Sequence, residues 1–170
     1  MARQERDSVD HHVARWAEYW KDNEAFQPEV EGAITRMQDI IKALKRADAV
    51  AFADSDFTEE DYHTLHALMV QPHPTEATPA QLAEATRITR AAMTSRLDRL
   101  VESGLVTREV DPLDRRRVVV RPTTAGRRTW DRYVHDGMRR EQQLLRALGP
   151  LDLHQLNGLL RKVVLSLDRR

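Results

Sequence analysis

The segment from Thr78 to Arg128 constrains the fold of this chain most, because it contains the start signals of two short helices close together. Thr78 can cap a helix that begins with Pro79, and Gln81 completes a capping box three residues after the cap. Thr89 can cap a second helix after a tight turn. This spacing predicts a helix-turn-helix.

The second helix of this pair has an apolar face and a polar face. Four apolar residues recur at helical spacing and are expected to face the core: Met93, Leu97, Leu100 and Val101. The opposite face begins with small residues and becomes basic. Small side chains let a first helical turn approach base edges in a DNA major groove, where hydroxyl and guanidinium groups reach acceptors. We therefore predict DNA contacts from Arg90, Ala91, Ala92, Thr94, Ser95, Arg96 and Arg99.

Two short β-branched segments after this helix predict a β-hairpin with a cationic tip. Gly104 supplies the helix stop, and the strands are expected over Leu105–Val110 and Val118–Arg121. The loop between them ends in three consecutive arginines, Arg115, Arg116 and Arg117. Such a tip can insert arginine into a minor groove, where the negative potential attracts it.

The charges of the chain are segregated although they sum to zero. Residues 87–128 contain eleven arginines and five acidic residues, whereas residues 1–86 contain eight basic and seventeen acidic side chains. A basic segment of this kind is typical of a phosphate-binding surface. Two alternatives remain open: a purely structural unit with solvated arginines, and an interaction module whose hairpin binds an acidic protein partner.

The helix pair and the hairpin resemble the winged helix-turn-helix of the MarR-family transcriptional regulators. Asp111, Asp114 and Arg116 match the D-x-R-D-x-R-like wing of that family, and Thr123 with Gly126 matches the LTxxG-like start of its next helix. The resemblance implies a dimeric, sequence-specific DNA-binding repressor that is released by a small-molecule ligand.

The resemblance is strong over residues 58–128 and departs from the family pattern at two positions. Leu113 stands where the family often has arginine, and Pro122 stands where it usually has leucine. The recognition-helix sequence AAMTSRLDRL is most similar to that of the urate-responsive members, which carry an extra N-terminal helix with a tryptophan. Trp16 matches that tryptophan.

Helical periodicity over the rest of the chain predicts a mainly α protein with one small β-hairpin. The expected helices cover about 8–21, 29–49, 59–71, 123–148 and the residues after Pro150. We expect N-terminal helices for dimerisation and a ligand cleft in residues 1–57, the DNA-binding domain in 58–128 and C-terminal dimerisation helices in 129–170.

The last helix carries a wide apolar face, with leucine and valine at i, i+3, i+4 and i+7 spacing. In a chain this small the terminal helices have little else to bury that face against, so a second copy of the chain is the expected cover. A homodimer would set two recognition helices about one DNA turn apart, which predicts a pseudopalindromic operator on double-stranded DNA.

The resemblance also implies an effector site. Regulators of this family typically bind a small aromatic or anionic ligand between the dimer helices and the DNA-reading unit, and binding moves the recognition helices. On that resemblance Trp16, Tyr62, His63 and His66 are expected to line the cleft. Plain helix packing is the alternative for Trp16.

Sequence motifs give no indication of catalysis or of a cofactor. The chain contains no GxSxG, HExxH, P-loop or GxGxxG pattern, so we do not expect an enzyme. It has no cysteine, which excludes disulfides and thiolate zinc sites. A zinc sensor that uses His63, His66 and His73 remains the alternative function. The chain shows neither a membrane span nor a signal peptide, so we expect a cytoplasmic protein without a membrane partner.

Overall fold

The computed structural model describes residues 6–53 and 55–169, and within them it contains seven helices and one antiparallel hairpin. The elements are α1 (Ser8–Tyr19), α2 (Pro28–Phe52), α3 (Glu59–Met69), α4 (Pro79–Ala85), α5 (Arg90–Glu102), β1 (Val106–Val110), β2 (Val118–Pro122), α6 (Thr124–Leu144) and α7 (Pro150–Leu167). The predicted fold class, mainly α with a small hairpin, is confirmed.

The chain divides into two compact units at the junction of Val50 and Ala51. In the first unit, α1 and α2 are joined by the guanidinium of Arg36, which donates to Asp7 at 2.9 Å and to Asp10 at 2.7 Å. The Arg36 hydrogen bond is the main reason that the pKa of Asp7 lies below its ordinary value. The functional boundaries at residues 57 and 128 stay predictions.

The helix starts in the second unit are those that the sequence predicted. Thr58 Oγ1 accepts from the amide of Asp61, and the Asp61 carboxylate accepts from the amide of Thr58, so α3 begins with a capping box. Thr78 and Gln81 form the same reciprocal pair at the start of α4. The side chain of Thr89 caps α5.

The core of the second unit lies between α3, α4, α5 and the hairpin. Its largest fully buried apolar side chains are Leu65, Leu68, Leu82, Met93, Leu97, Leu100, Val119 and Val120. The prediction that Val101 shares this face was wrong, because its residue surface is 41% exposed. Eight residues after Met93, Val101 lies about 80° around the helix from the centre of the buried stripe.

An aromatic cluster packs α6 and the end of α2 against α3. The rings of Phe52 and Tyr133 are stacked with centroids 4.9 Å apart, and the Phe57 ring also lies 4.9 Å from Tyr133. Tyr133 Oη donates to Ser55 Oγ at 3.1 Å. This cluster extends α2 to Phe52, beyond its predicted end at Ala49.

Three other helices end earlier than predicted. The first helix ends at Tyr19 rather than near Lys21, α3 ends at Met69 rather than at Gln71, and the long helix after the hairpin ends at Leu144 rather than near Leu148. The last helix starts at Pro150, as expected. No helix in the described ranges combines the length and the apolar character needed to cross a membrane.

The start of α6 lies directly against the base of the hairpin. Thr123 Oγ1 donates to the carbonyl of Gly104 at 2.7 Å and accepts from the amide of Gly126 at 3.0 Å. A Cβ atom on Gly126 would lie 2.0 Å from the carbonyl oxygen of Leu105. Only glycine permits this approach, which explains the Thr123 and Gly126 pattern.

Candidate nucleic-acid interface

The first turns of α5 present a row of exposed, mostly small side chains: Arg90, Ala91, Ala92, Thr94 and Ser95. The hydroxyl of Thr94 donates to the carbonyl of Arg90 at 3.0 Å, and that of Ser95 lies 3.4 Å from the carbonyl of Ala91. Both hydroxyl oxygens therefore keep acceptor capacity towards solvent. The structure brings these five predicted residues together on one face.

Arg96 and Arg99, which were predicted on the same face, extend towards α3. Arg99 Nη2 donates to Asp61 Oδ1 at 2.8 Å. Arg96 Nη1 lies 3.4 Å from the carbonyl oxygen of Glu60 and 3.5 Å from Thr64 Oγ1. Both guanidinium groups join the recognition helix to its neighbour, and DNA contacts from them stay a prediction.

The wing, defined here as β1, β2 and the loop between them, has an exposed cationic tip. Arg115 and Arg116 are exposed, and no acidic group among the described residues forms an ion pair with either of them. Asp114 Oδ1 accepts from the amide of Arg116 at 3.0 Å, and Asp111 Oδ1 accepts from the amide of Leu113 at 2.9 Å. The two aspartates of the motif thus shape the loop that presents the arginines.

The base of the wing depends on Glu76, a residue that was not predicted from the sequence. Glu76 Oε2 lies 2.7 Å from Arg121 Nη2, and its Oε1 lies 3.9 Å from Arg117 Nη2. The neighbouring Ala77 exchanges two backbone hydrogen bonds with Val120, at 2.8 and 3.1 Å. Arg117, at the end of the wing loop, is therefore neutralised by Glu76 and by Asp111 Oδ2 at 3.4 Å, unlike the two arginines before it. No local pattern marks Glu76, because its partners are distant in sequence.

A cleft of about 500 Å³ opens between α3, the end of α4 and Arg96. His63 and His66, two of the predicted ligand residues, line it. Tyr62 lies instead in the aromatic cluster, with its ring 6.0 Å from that of Phe52.

Trp16 belongs to the first unit, so its role in a ligand site stays a prediction. It lines a smaller hollow of about 310 Å³ together with Arg15, Tyr19 and Trp20.

The histidines do not form a metal centre. Within residues 6–53 and 55–169, no group of three or more His, Cys, Asp or Glu side chains is placed to hold a metal ion. His66 Nδ1 already accepts a hydrogen bond from Trp130 Nε1 at 3.1 Å, and His63 Nε2 lies 3.4 Å from Glu59. The zinc-sensor alternative therefore has no geometric support.

This arrangement of capped helices and a wing can be compared with known proteins. A sequence model described as the MarR family matches residues 55–117, which include α3, α4, α5 and most of the wing. Solved MarR-family structures share the fold over about three quarters of the chain. Over residues 55–117 the chain is therefore similar to the MarR family.

Two proteins that match in sequence are transcriptional regulators by name. The chain is 26% identical over 151 residues to the HTH-type transcriptional regulator PecS of Dickeya dadantii (strain 3937), and the match covers 89% of each chain. It is 43% identical over 51 residues to the HTH-type transcriptional regulator YcgE of Bacillus subtilis (strain 168). That second match covers 30% of this chain and only 33% of YcgE.

Two solved structures with a similar fold bear on function. A MarR mutant from E. coli, complexed with operator DNA, matches with a TM-score of 0.60 and 26% identity, over 79% of this chain and 95% of that one. BpsR of Bordetella bronchiseptica, whose DNA binding is regulated by 6-hydroxynicotinic acid, matches with a TM-score of 0.59 and 25% identity. That match covers 76% of this chain and 91% of BpsR.

Proposed function

We propose that this chain is a transcriptional regulator of the MarR type, a homodimeric repressor that binds a pseudopalindromic operator and is released by a small aromatic or anionic ligand. The observation that carries the proposal is the pairing of charges on the wing. Arg117 and Arg121 are neutralised by acidic partners, whereas Arg115 and Arg116 at the tip are exposed and unpaired within the described part of the chain. Unpaired arginines at a loop tip are available to phosphates or to a minor groove.

The exposed face of α5 supports base reading by the same unit. Ala91 and Ala92 leave room for a close approach to base edges, and the hydroxyls of Thr94 and Ser95 can exchange their intrahelical bonds for contacts to bases. The wing would then hold the adjacent backbone while α5 lies in the major groove.

Unburied apolar surface supports the homodimer. No residue of α7 is buried in the isolated chain. Leu159, Val163 and Val164, at helical spacing, are 60%, 50% and 55% exposed. An apolar face this large is normally covered, and in a symmetric dimer the same helix of a second copy covers it.

The relatives support binding of this chain to operator DNA and to a small ligand. The MarR mutant was solved with operator DNA, and the DNA binding of BpsR responds to an aromatic carboxylic acid. By analogy we assign this chain the same two classes of partner.

A binding assay with matched variants tests the proposal. Fluorescence anisotropy would follow the full chain on labelled DNA fragments that flank its gene, at several salt concentrations. We expect one fragment to bind preferentially and the double variant Arg115→Ala/Arg116→Ala to bind it at least about tenfold more weakly. The slope of log affinity against log salt should also become shallower, by about 0.9 for each phosphate that the variant no longer neutralises.

The control variant removes two positive charges elsewhere. Lys45 and Arg46 are exposed on α2, outside the DNA-binding segment. Lys45→Ala/Arg46→Ala should retain both the affinity and the salt slope. Equal losses in the two variants would mean that only the total charge matters, and absence of any preferred fragment would favour the protein-interaction alternative.

A further inference from the structure

Leu113, in the loop of the wing, is the most exposed large apolar residue in the described part of the chain. Its residue surface is 97% exposed, against 79% for Leu151 on α7 and 78% for Tyr19 on α1. A single exposed leucine is ordinary on a protein surface. Leu113 differs in its position, because the same loop carries Arg115 and Arg116, which are exposed and have no ion-pair partner among the described residues.

The backbone around Leu113 is held by the loop itself. The amide of Leu113 donates to Asp111 Oδ1 at 2.9 Å. Two backbone hydrogen bonds of 2.8 Å close the loop, from Asp111 to the carbonyl of Arg117 and from Arg117 to the carbonyl of Asp114. Pro112 adds a fixed φ angle. None of these bonds uses the leucine side chain, so a pre-formed loop presents it, and little further ordering is needed when it binds.

An apolar side chain beside two free guanidinium groups fits duplex DNA better than it fits a membrane. Stable binding to an anionic membrane takes a cluster of about four to eight basic residues or an extended apolar helix face. The wing loop offers two unpaired arginines and one leucine. Proteins that bind the minor groove combine these same two features, arginines in the groove and an apolar side chain that inserts between two base pairs.

The chemistry of the minor groove decides where a leucine can make a favourable contact. The floor of the groove presents hydrogen-bond acceptors, adenine N3 and thymine O2, which leucine cannot satisfy. Covering these acceptors with an apolar group costs free energy. Apolar surface becomes accessible where a base step opens and exposes the faces of the bases. The steps from pyrimidine to purine, TA and CA/TG, open most easily.

We propose that Leu113 inserts from the minor groove between the base pairs of a pyrimidine–purine step, while Arg115 and Arg116 bind the adjacent phosphates. The proposal rests on the DNA binding of the proposed function and adds a sequence preference that needs no hydrogen bond to a base. The free energy needed to open a step depends on its sequence, so the wing favours operators with a flexible step at its position. Insertion also bends the duplex.

Binding to a duplex that is already partly unstacked tests the insertion without knowledge of the operator. The probes are two labelled duplexes that differ only in a central T·T mismatch, each about 20 base pairs long to span two half-sites one helical turn apart. A mismatched base costs less to unstack, so the full chain should bind the mismatched duplex at least about fivefold more tightly than the paired one. Fluorescence anisotropy at low salt measures both affinities.

Three substitutions of Leu113 separate insertion from charge. Leu113→Ser removes the apolar group and should bind the two duplexes within about twofold of each other, with an unchanged salt slope because no charge is lost. Leu113→Met keeps an apolar group of similar size and should retain the preference. Leu113→Arg adds a phosphate contact, so it should bind both duplexes more tightly, with a steeper salt slope, and lose the preference.

Val50 provides a control for the loss of exposed apolar surface. It is 76% exposed on α2, outside the wing. Val50→Ser should retain the preference for the mismatched duplex. The side chains of Leu113 and Val50 are both exposed, so none of these substitutions should unfold the chain, and circular dichroism checks this.

The outcomes separate the insertion from the proposed function. If wild type binds the two duplexes equally, or if Leu113→Ser keeps the preference, the insertion is overturned while operator binding can still stand. If the preference depends on Leu113 but no genomic fragment is preferred, the insertion stands and the sequence-specific repressor fails. Absence of binding to either duplex overturns both.

Vesicles that contain anionic phospholipid test the membrane alternative. We expect no binding of the chain to these vesicles that depends on Leu113. Vesicle binding that Leu113→Ser abolishes, together with equal binding of wild type to the two duplexes, would overturn the insertion and assign the wing loop to a membrane surface.

Discussion

Arg99 on α5 donates from Nη2 to Oδ1 of Asp61 on α3 at 2.8 Å, and the Asp61 side chain is only 4% exposed. The same carboxylate accepts from the amide of Thr58 and so also caps α3. The start of α3 and the end of the recognition helix are thereby fixed to one buried group. This ion pair sets where the exposed face of α5 can lie.

Loss of this ion pair should destabilise the chain. Arg99→Ala leaves a buried carboxylate with one partner fewer, and we expect a loss of about 1–3 kcal/mol, less than for a fully buried pair because Arg99 is half exposed. Urea unfolding of the variant and of wild type measures this loss in the free energy of unfolding. Asp61 on α3 holds the Arg99 guanidinium in the free chain, so we expect the variant to lose DNA affinity through the position of α5, with an unchanged salt slope.

Arg108 provides the comparison. It pairs at 3.0 Å with Asp98, whose side chain is 63% exposed, so Arg108→Ala should cost only about 0–1 kcal/mol. If the two variants lose the same free energy of unfolding, the burial of Asp61 does not strengthen its ion pair with Arg99. A shallower salt slope for Arg99→Ala would instead identify Arg99 as a phosphate-binding residue.

Gly126 should be intolerant of any side chain. The added methyl of Gly126→Ala would overlap the carbonyl of Leu105, and separating α6 from the hairpin should cost about 3 kcal/mol or more. In Gly137→Ala the nearest atom is the end of the Arg140 side chain at 3.8 Å, so we expect a gain of about 0.5–1 kcal/mol from helix propensity. Thermal or urea unfolding of both variants measures these changes. A Gly126→Ala variant as stable as wild type would contradict the close approach of Gly126 to the Leu105 carbonyl.

His66 should make stability depend on pH below neutrality. Its pKa is lower in the folded chain, so the unfolded chain binds more protons and stability falls as pH drops from about 7 to 5. Protonation would also remove the acceptor of the Trp130 hydrogen bond. Urea midpoints of His66→Gln should fall less over this range than those of wild type. His154→Gln, at an exposed position on α7, is the control and should follow wild type.

A charge on the apolar face of α7 should prevent dimerisation. Leu160 is 39% exposed in the isolated chain, and burying a carboxylate there against a second copy would be strongly unfavourable. We expect Leu160→Glu to sediment as a monomer and to lose operator affinity. Gln155→Glu adds the same charge at an exposed polar position of α7 and should remain dimeric. A dimeric Leu160→Glu would place the interface elsewhere.

Local signals explain what the sequence could predict. The caps at Thr58, Thr78 and Thr89 act within three residues, so the starts of α3, α4 and α5 could be predicted to the residue. The hairpin followed from β-branched segments and a Gly104 stop with φ of 68°. Helix ends at Tyr19 and Leu144 have no comparable signal, and they were placed too late.

Long side chains and distant partners explain the features that could not be predicted from the sequence. Helical spacing gives the direction of a Cβ atom, but the guanidinium of Arg96 or Arg99 lies several bonds further out and turns back to α3. The ion pair of Glu76 with Arg121 and the stacking of Phe52 on Tyr133 join residues remote in sequence. Neither interaction leaves a periodic pattern to detect.

DNase footprinting combined with sedimentation of the complex tests the central proposal most directly. We expect two protected inverted half-sites with centres about 10 base pairs apart on one face of the duplex, bound by two chains. The double variant Arg115→Ala/Arg116→Ala should lose this protection at concentrations that saturate wild type. A single protected half-site bound by one chain, or protection that ignores sequence at every salt concentration, would contradict a homodimer that reads its operator with α5 and the wing.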